Sequence, residues 1–91
     1  MPAVRRTFVV SGRVQGVFYR EGAKSEADRL GLTGWATNRS DGKVEVVVEG
    51  EPTNIELMGR WLKQGPPRAA VTDVESSGFG APEGIAGFSV R

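Results

Sequence analysis

The residues of this chain that are best suited to chemistry lie in a glycine-punctuated connector from Gly12 to Arg20. The connector separates a strand-like run, Thr7 to Ser11, from a helix-like run that begins near Tyr19. The first turn of a helix has backbone N–H groups without partners in the helix, and the helix dipole makes this end positive. An arginine at such a position predicts a site for an anion such as phosphate.

The predicted helix has no Ser, Thr, Asp or Asn immediately before its start. A side chain of that kind would ordinarily accept hydrogen bonds from the free N–H groups, so we expect a ligand to act as the missing cap. Two simpler interpretations remain open at this point. The glycines are equally consistent with an ordinary strand-to-helix turn. Arg20 is also consistent with a role in a surface ion pair.

The chain has no cysteine and no histidine among its 91 residues. This composition excludes disulfide bonds, thiolate nucleophiles, imidazole bases and nearly every transition-metal site. A reaction would therefore depend on arginine, lysine, amide, carboxylate, hydroxyl or backbone groups. The first residues contain no long apolar stretch of the kind that a signal peptide needs, so we expect a cytoplasmic protein.

The net charge of +1 conceals an uneven distribution. Residues 1–43 hold eight basic and four acidic side chains, whereas residues 44–91 hold four basic and seven acidic ones. The positive half contains the connector. A small anion fits this pattern better than a nucleic acid, because nucleic-acid-binding domains usually carry a strong overall basic excess.

The helix after the connector has a narrow face of small residues. Ala23, Ala27 and Leu30 recur at i, i+4 and i+7, and Gly31 stands where a C-terminal cap belongs. The alanines would let this helix lie close to a sheet.

A β-hairpin is predicted next. Gly34 to Asn38 has the pattern of a short strand, and the run from Val44 to Glu49, with valine at every second position, gives the clearest strand of the chain. The intervening Asp41-Gly42 is a strong hairpin-turn signal. Asn38 is therefore expected at the rim of the sheet, where an asparagine ordinarily caps its own turn.

The second half of the chain supplies one more helix and two weaker strands. The sequence predicts a helix that starts at Glu51 to Asn54 and ends at Gly65-Pro66-Pro67, then a strand from Ala69 to Ser76. Residues Gly78 to Gly87 are predicted to be irregular and mobile, and Phe88 to Arg91 to form a short edge strand.

The predicted order is strand, helix, strand, strand, helix, strand, with a short terminal strand added. This order is typical of an α+β, ferredoxin-like βαββαβ sandwich, in which two helices cover one face of an antiparallel sheet. We expect a single domain over residues 1–91, with Trp35, Trp61 and Phe8 in its core. The fold hosts many functions and does not identify one.

Two motifs resemble the signatures of the acylphosphatase family. The first is Gly12-x-Val14-Gln15-Gly16-Val17-x-x-Arg20, and the second is Gly34-Trp35-Ala36-x-Asn38-x-x-x-Gly42-x-Val44 followed by Gly50. The resemblance covers essentially the whole chain. It implies the ferredoxin-like fold and the hydrolysis of acyl phosphates to a carboxylate and phosphate, without a metal or another cofactor.

The resemblance also implies roles for individual residues. Arg20 would bind the phosphate and Asn38 would position the attacking water. The backbone amides of the connector would form the cradle around the other phosphate oxygens; they belong to Gln15, Gly16, Val17, Phe18 and Tyr19. Tyr19 stands where the family usually has Phe or Met, and Thr37 where it usually has a basic or other longer side chain.

The expected partner is a small-molecule acyl phosphate, with no nucleic acid and no membrane, and we expect a monomer. Two other functions are open. An RNA-binding module shares the element order, but such modules stack bases on paired aromatics of their central strands, and Val44 to Glu49 offers only valines and glutamates. A non-catalytic anion-sensing or interaction domain on the same fold is less easily excluded.

Overall fold

The strand before the connector is the longest strand of the computed structural model, which describes residues 2–91. Across these residues the chain forms five strands and two helices. Their bounds are β1 Val4–Arg13, α1 Tyr19–Arg29, β2 Thr33–Asn38, β3 Val44–Gly50, α2 Pro52–Gln64, β4 Ala70–Ser76 and β5 Phe88–Val90. Neither helix in residues 2–91 combines the length and the apolar character of a membrane-spanning segment.

The strands form one sheet in the order β4-β1-β3-β2-β5, and both helices pack on the same face of it. The predicted ferredoxin-like fold is confirmed. The four strands β4, β1, β3 and β2 are antiparallel to their neighbours, whereas β5 runs parallel to β2. The sheet is therefore mixed, because the chain leaves β4 at one edge and enters β5 at the other edge in the direction of β2.

Side chains alternate between the two faces of the sheet along each strand, and those on the helix-covered face form the core. Every second residue of β3 is buried against the helices, and the alanine face of α1 lies against the sheet as predicted. Phe8 belongs to this core, and the Trp61 ring packs against it, 5.6 Å from the ring of Tyr19. The buried residues from β3 and the helices are Val44, Val46, Val48, Ala23, Ala27, Ile55, Met58 and Leu62.

The predicted core position of Trp35 is wrong. Its neighbour in β2, Ala36, is fully buried beneath the helices, so alternation places the Trp35 side chain on the helix-free face. There the guanidinium groups of Arg5 and Arg91 lie 5.2 Å and 4.2 Å from its ring centroid. Trp35 thus makes cation–π contacts instead of packing in the core.

Both predicted helix ends are confirmed. Gly31 has a φ of 69°, and the N–H of Leu32 donates to the carbonyl of Ala27 at 2.8 Å, which closes α1. Gly65, with a φ of 70°, closes α2 through a 2.7 Å hydrogen bond to the carbonyl of Trp61.

The segment between β4 and β5 has no helix or regular strand, as predicted, but one buried carboxylate holds it to the sheet. Glu49 of β3 is 4% exposed and accepts hydrogen bonds from the N–H groups of Glu83, Gly84 and Ile85 at 2.6, 3.0 and 3.1 Å. The guanidinium of Arg5 donates to the same carboxylate at 3.3 Å. The mobility of the segment stays a prediction, and these contacts argue against it for residues 83–85.

The environment of Glu49 also determines when its carboxyl is charged. Burial alone would raise the pKa of the Glu49 carboxyl, but the hydrogen bonds from the three backbone N–H groups and from Arg5 outweigh burial and lower it. Because the folded-state pKa lies below the ordinary value of 4.5, the carboxylate stabilises the fold above that pH. This stabilisation is lost as the pH falls through the folded-state pKa.

We therefore expect Glu49→Gln to lower the free energy of unfolding at neutral pH by roughly 1–3 kcal/mol, because the amide cannot accept all four hydrogen bonds. The stability of the variant should also vary less than that of the wild type between about pH 5 and pH 3. Urea unfolding across this range measures both effects, with Glu45→Gln in the same strand as the control. An equal pH dependence in Glu49→Gln and the wild type would contradict the assignment.

Candidate functional site

In the loop between β1 and α1, residues 14–18, two residues have a positive φ. Gly16 has a φ of 74°, and Phe18, immediately before α1, has a φ of 62° and a ψ of 26°. Among residues 2–91, Phe18 is the one non-glycine residue with a positive φ. This conformation costs a bulky residue about 1–2 kcal/mol, so the loop holds a strained backbone at the helix start.

The backbone N–H groups of Gln15 to Tyr19 donate no hydrogen bond to any described residue. The first helical hydrogen bond of α1 runs from the N–H of Gly22 to the carbonyl of Phe18, at 3.0 Å. Within residues 2–91, no side chain caps the start of this helix, as the sequence indicates. The loop therefore presents several free donors at the positive end of a helix dipole, an arrangement suited to an anion.

Arg20 lies in the first turn of α1 and lines a cleft of about 150 Å³ next to these donors. Its Nη1 donates to the main-chain oxygen of Arg91, which follows β5. Arg20 forms no ion pair with another residue of the described chain, so the alternative of a surface ion pair is not realised. The cleft is lined by Val14, Gly16, Phe18, Tyr19, Arg20 and Glu21.

Asn38 is the last residue of β2 and lies at the exposed rim of the sheet, as predicted. It pairs with Val44 across the hairpin. In the described chain, no hydrogen bond involves its side-chain amide, so Asn38 does not cap its own turn. Asp41 has that function instead, because its Oδ1 accepts a 3.1 Å hydrogen bond from the N–H of Lys43.

The side chain of Gln15 connects the 14–18 loop to the hairpin that carries Asn38. Its Nε2 donates to the carbonyl of Arg39 at 2.8 Å and to the carbonyl of Lys43 at 2.9 Å. The sequence motif indicates only the backbone amide of Gln15. A primary amide carries two donors and so can join two carbonyl groups, but nothing in the spacing of the sequence shows which carbonyls it reaches.

Arg91 also contacts the site, although neither sequence motif includes it. Its N–H donates to the carbonyl of Ala36 at 2.9 Å, so the chain beyond β5 stays alongside β2 and reaches Arg20. The hydrogen bond between Arg20 and Arg91 joins residues 71 positions apart, and it depends on the pairing of β5 with β2.

Tyr19 is a buried anchor for the start of α1. Its side chain is 1% exposed, and its hydroxyl donates to the carbonyl of Leu62 in α2 at 2.6 Å. Burial raises the pKa of the Tyr19 hydroxyl well above its ordinary value, so this group stays protonated. The side chain therefore fixes α1 against α2 and is not a proton donor or acceptor for chemistry in the cleft.

The donors of this site are N–H and guanidinium groups, and such groups do not bind cations. Among residues 2–91, no group of three or more His, Cys, Asp or Glu side chains is placed to hold a metal ion. The arrangement can hold a tetrahedral oxyanion by charge-assisted hydrogen bonds, with a free side-chain amide at the adjoining hairpin.

Comparison with known proteins gives the same family as the two motifs. Residues 6–90 match the family model described as Acylphosphatase. A protein from Pseudomonas paraeruginosa named acylphosphatase is 51% identical over 82 residues, which cover 90% of this chain and 89% of that protein. A protein from Thermococcus kodakarensis, also named acylphosphatase, is 47% identical over 90 residues. These residues cover 99% of this chain and 98% of that protein.

A solved structure agrees with the sequence matches. The structure of an acylphosphatase from Coxiella burnetii is similar to this one with a TM-score of 0.93 and 42% sequence identity. The superposition covers 99% of this chain and 94% of that one. The chain therefore belongs to the acylphosphatase family.

Proposed function

We propose that this protein hydrolyses acyl phosphates to a carboxylate and inorganic phosphate. The observation that carries the proposal is the cluster of free N–H groups from residues 15–19 next to the Arg20 guanidinium. Relatives of similar length that are named acylphosphatase support the same reaction.

In this proposal, the phosphoryl group binds at the start of α1. Arg20 donates two hydrogen bonds to phosphate oxygens, and the backbone N–H groups of residues 15–19 donate to the others. The contact between Arg20 and the main-chain oxygen of Arg91 limits the orientations of the guanidinium before the substrate arrives. Donors that are already in place need no reorganisation during the reaction, and they stabilise the charge on the phosphate oxygens in the transition state.

Asn38 positions the attacking water. The water oxygen attacks phosphorus in line with the bond to the acyl oxygen, that bond breaks, and the carboxylate leaves with the electron pair. The proton lost by the water passes to a phosphate oxygen. A carboxylate with a conjugate acid of pKa near 4 needs no proton to leave, so a site without histidine is adequate for this reaction.

The proposed reaction takes its positive charge from Arg20 and from backbone N–H groups, and it uses no metal. Purified protein is therefore expected to release phosphate from acetyl phosphate at the same rate with and without EDTA. Loss of activity in EDTA would contradict the metal-independent mechanism. Phosphate binding without any hydrolysis would instead favour a non-catalytic anion-sensing domain.

Arg20→Gln and Asn38→Ala should separate binding from turnover. The Arg20 variant should bind inorganic phosphate poorly and lose about a hundredfold or more in kcat/KM, because it removes a preorganised charged donor. The Asn38 variant should lose a similar factor in kcat but keep its affinity for phosphate. Titration calorimetry and phosphate-release kinetics measure the two quantities, with the exposed Arg60→Gln on α2 as the control. Retained activity in Arg20→Gln would refute the assignment.

The bridge made by Gln15 is expected to keep the phosphate and the water in register. Gln15→Ala should lower kcat roughly tenfold to a hundredfold and weaken phosphate binding less, because small misplacements of reacting groups are costly. Gln64→Ala at the exposed end of α2 is the matched control, and both variants need only steady-state kinetics. If Gln15→Ala retained the kcat of the wild type, the bridge would have no part in catalysis.

A further inference from the structure

The side chain of Phe18 is the most exposed large apolar side chain among residues 2–91. It is 67% exposed, whereas the next, Phe79, is 46% exposed and has the guanidinium of Arg6 over its ring at 4.5 Å. No aromatic or cation–π contact involves Phe18 in the described chain. An isolated apolar side chain on a surface is ordinary, but this one lies beside the candidate site.

The backbone at this position would accept a residue without a side chain. Phe18 has a left-handed φ of 62°, a conformation that glycine adopts at no steric cost and that Gly16 adopts two residues earlier. The left-handed backbone therefore does not account for an aromatic side chain at residue 18, and the ring contributes nothing to the core.

In the proposed reaction, an acyl group attached to the bound phosphate would lie close to Phe18. Phe18 and Arg20 line the same cleft of about 150 Å³, smaller than the roughly 300–1,000 Å³ that typically encloses a drug-sized ligand. With the phosphoryl group at the donors, a larger acyl group extends out of the cleft. Glu21 is the acidic residue that lines the cleft, and its charge disfavours an anionic acyl group there.

We propose that the Phe18 side chain is a specificity-determining contact that stacks on the acyl group and favours aromatic over small aliphatic acyl phosphates. The inference depends on the acyl phosphate hydrolysis proposed above. Offset stacking of two rings contributes an advantage of roughly twofold to tenfold to the aromatic substrate. The backbone N–H of Phe18 and its ring have separate functions, the first toward phosphate and the second toward the acyl group.

The test compares kcat/KM for benzoyl phosphate with kcat/KM for acetyl phosphate in each variant. Both substrates use the same phosphate donors, so a change in the loop backbone affects both values and cancels in their ratio. Phe18→Gly keeps the left-handed backbone and removes the ring, and it should lower the benzoyl-to-acetyl ratio roughly twofold to tenfold. Phe18→Asn, which also tolerates this backbone, should lower the ratio in the same way.

Two further variants make the comparison specific to the ring. Phe18→Tyr retains an aromatic side chain and should retain the ratio of the wild type. Phe79→Ala removes an exposed aromatic side chain elsewhere and should leave the ratio unchanged.

An unchanged ratio in Phe18→Gly, with both substrates hydrolysed by the wild type, would overturn this inference alone. An equal fall of the ratio in Phe18→Tyr would overturn it as well, because the effect would then not come from an aromatic ring. Hydrolysis of neither substrate by the wild type would overturn the proposed function and this inference together.

Discussion

A row of backbone N–H groups without protein acceptors is the constraint on which this structure depends. Such groups are normally paired, and at a helix start a side chain of the preceding residue normally accepts from them. Here the preceding residue is Phe18, which has no acceptor in its side chain, and its left-handed backbone ends the loop abruptly at α1. The loop leaves its donors available to a ligand at the expense of local stability.

The surrounding fold compensates for this local instability through contacts that hold both ends of the loop. On one side, the Tyr19 hydroxyl fixes the start of α1 to the main chain of α2. On the other side, the Gln15 amide joins the loop to the hairpin between β2 and β3. The strain at Phe18 is tolerated because these flanking contacts determine where the loop begins and ends.

Features of the fold and site that depend on local patterns could be predicted from the sequence. The glycine at the end of α1, the hairpin turn after Asn38 and the uncapped helix start before Arg20 each depend on a few adjacent residues. Contacts between distant segments could not be predicted in this way. The bond from Arg20 to Arg91 depends on the direction of β5, and the bridge from Gln15 depends on two carbonyl groups more than twenty residues away. Trp35 illustrates a different difficulty, because hydrophobicity suggests burial while strand alternation decides which face the ring occupies.

The donors at the start of α1 also have a consequence for the end of a catalytic cycle. In the proposed reaction they hold the phosphoryl group, which substrate and product have in common, so this part of the site cannot distinguish a bound reactant from a bound product. Binding energy that is the same before and after the reaction does not speed the chemical step. Product phosphate therefore competes with the substrate for the same donors. Its release must break the same hydrogen bonds that bind the substrate. Any preference for the reactant must come from contacts outside these donors, on the side where the acyl group leaves.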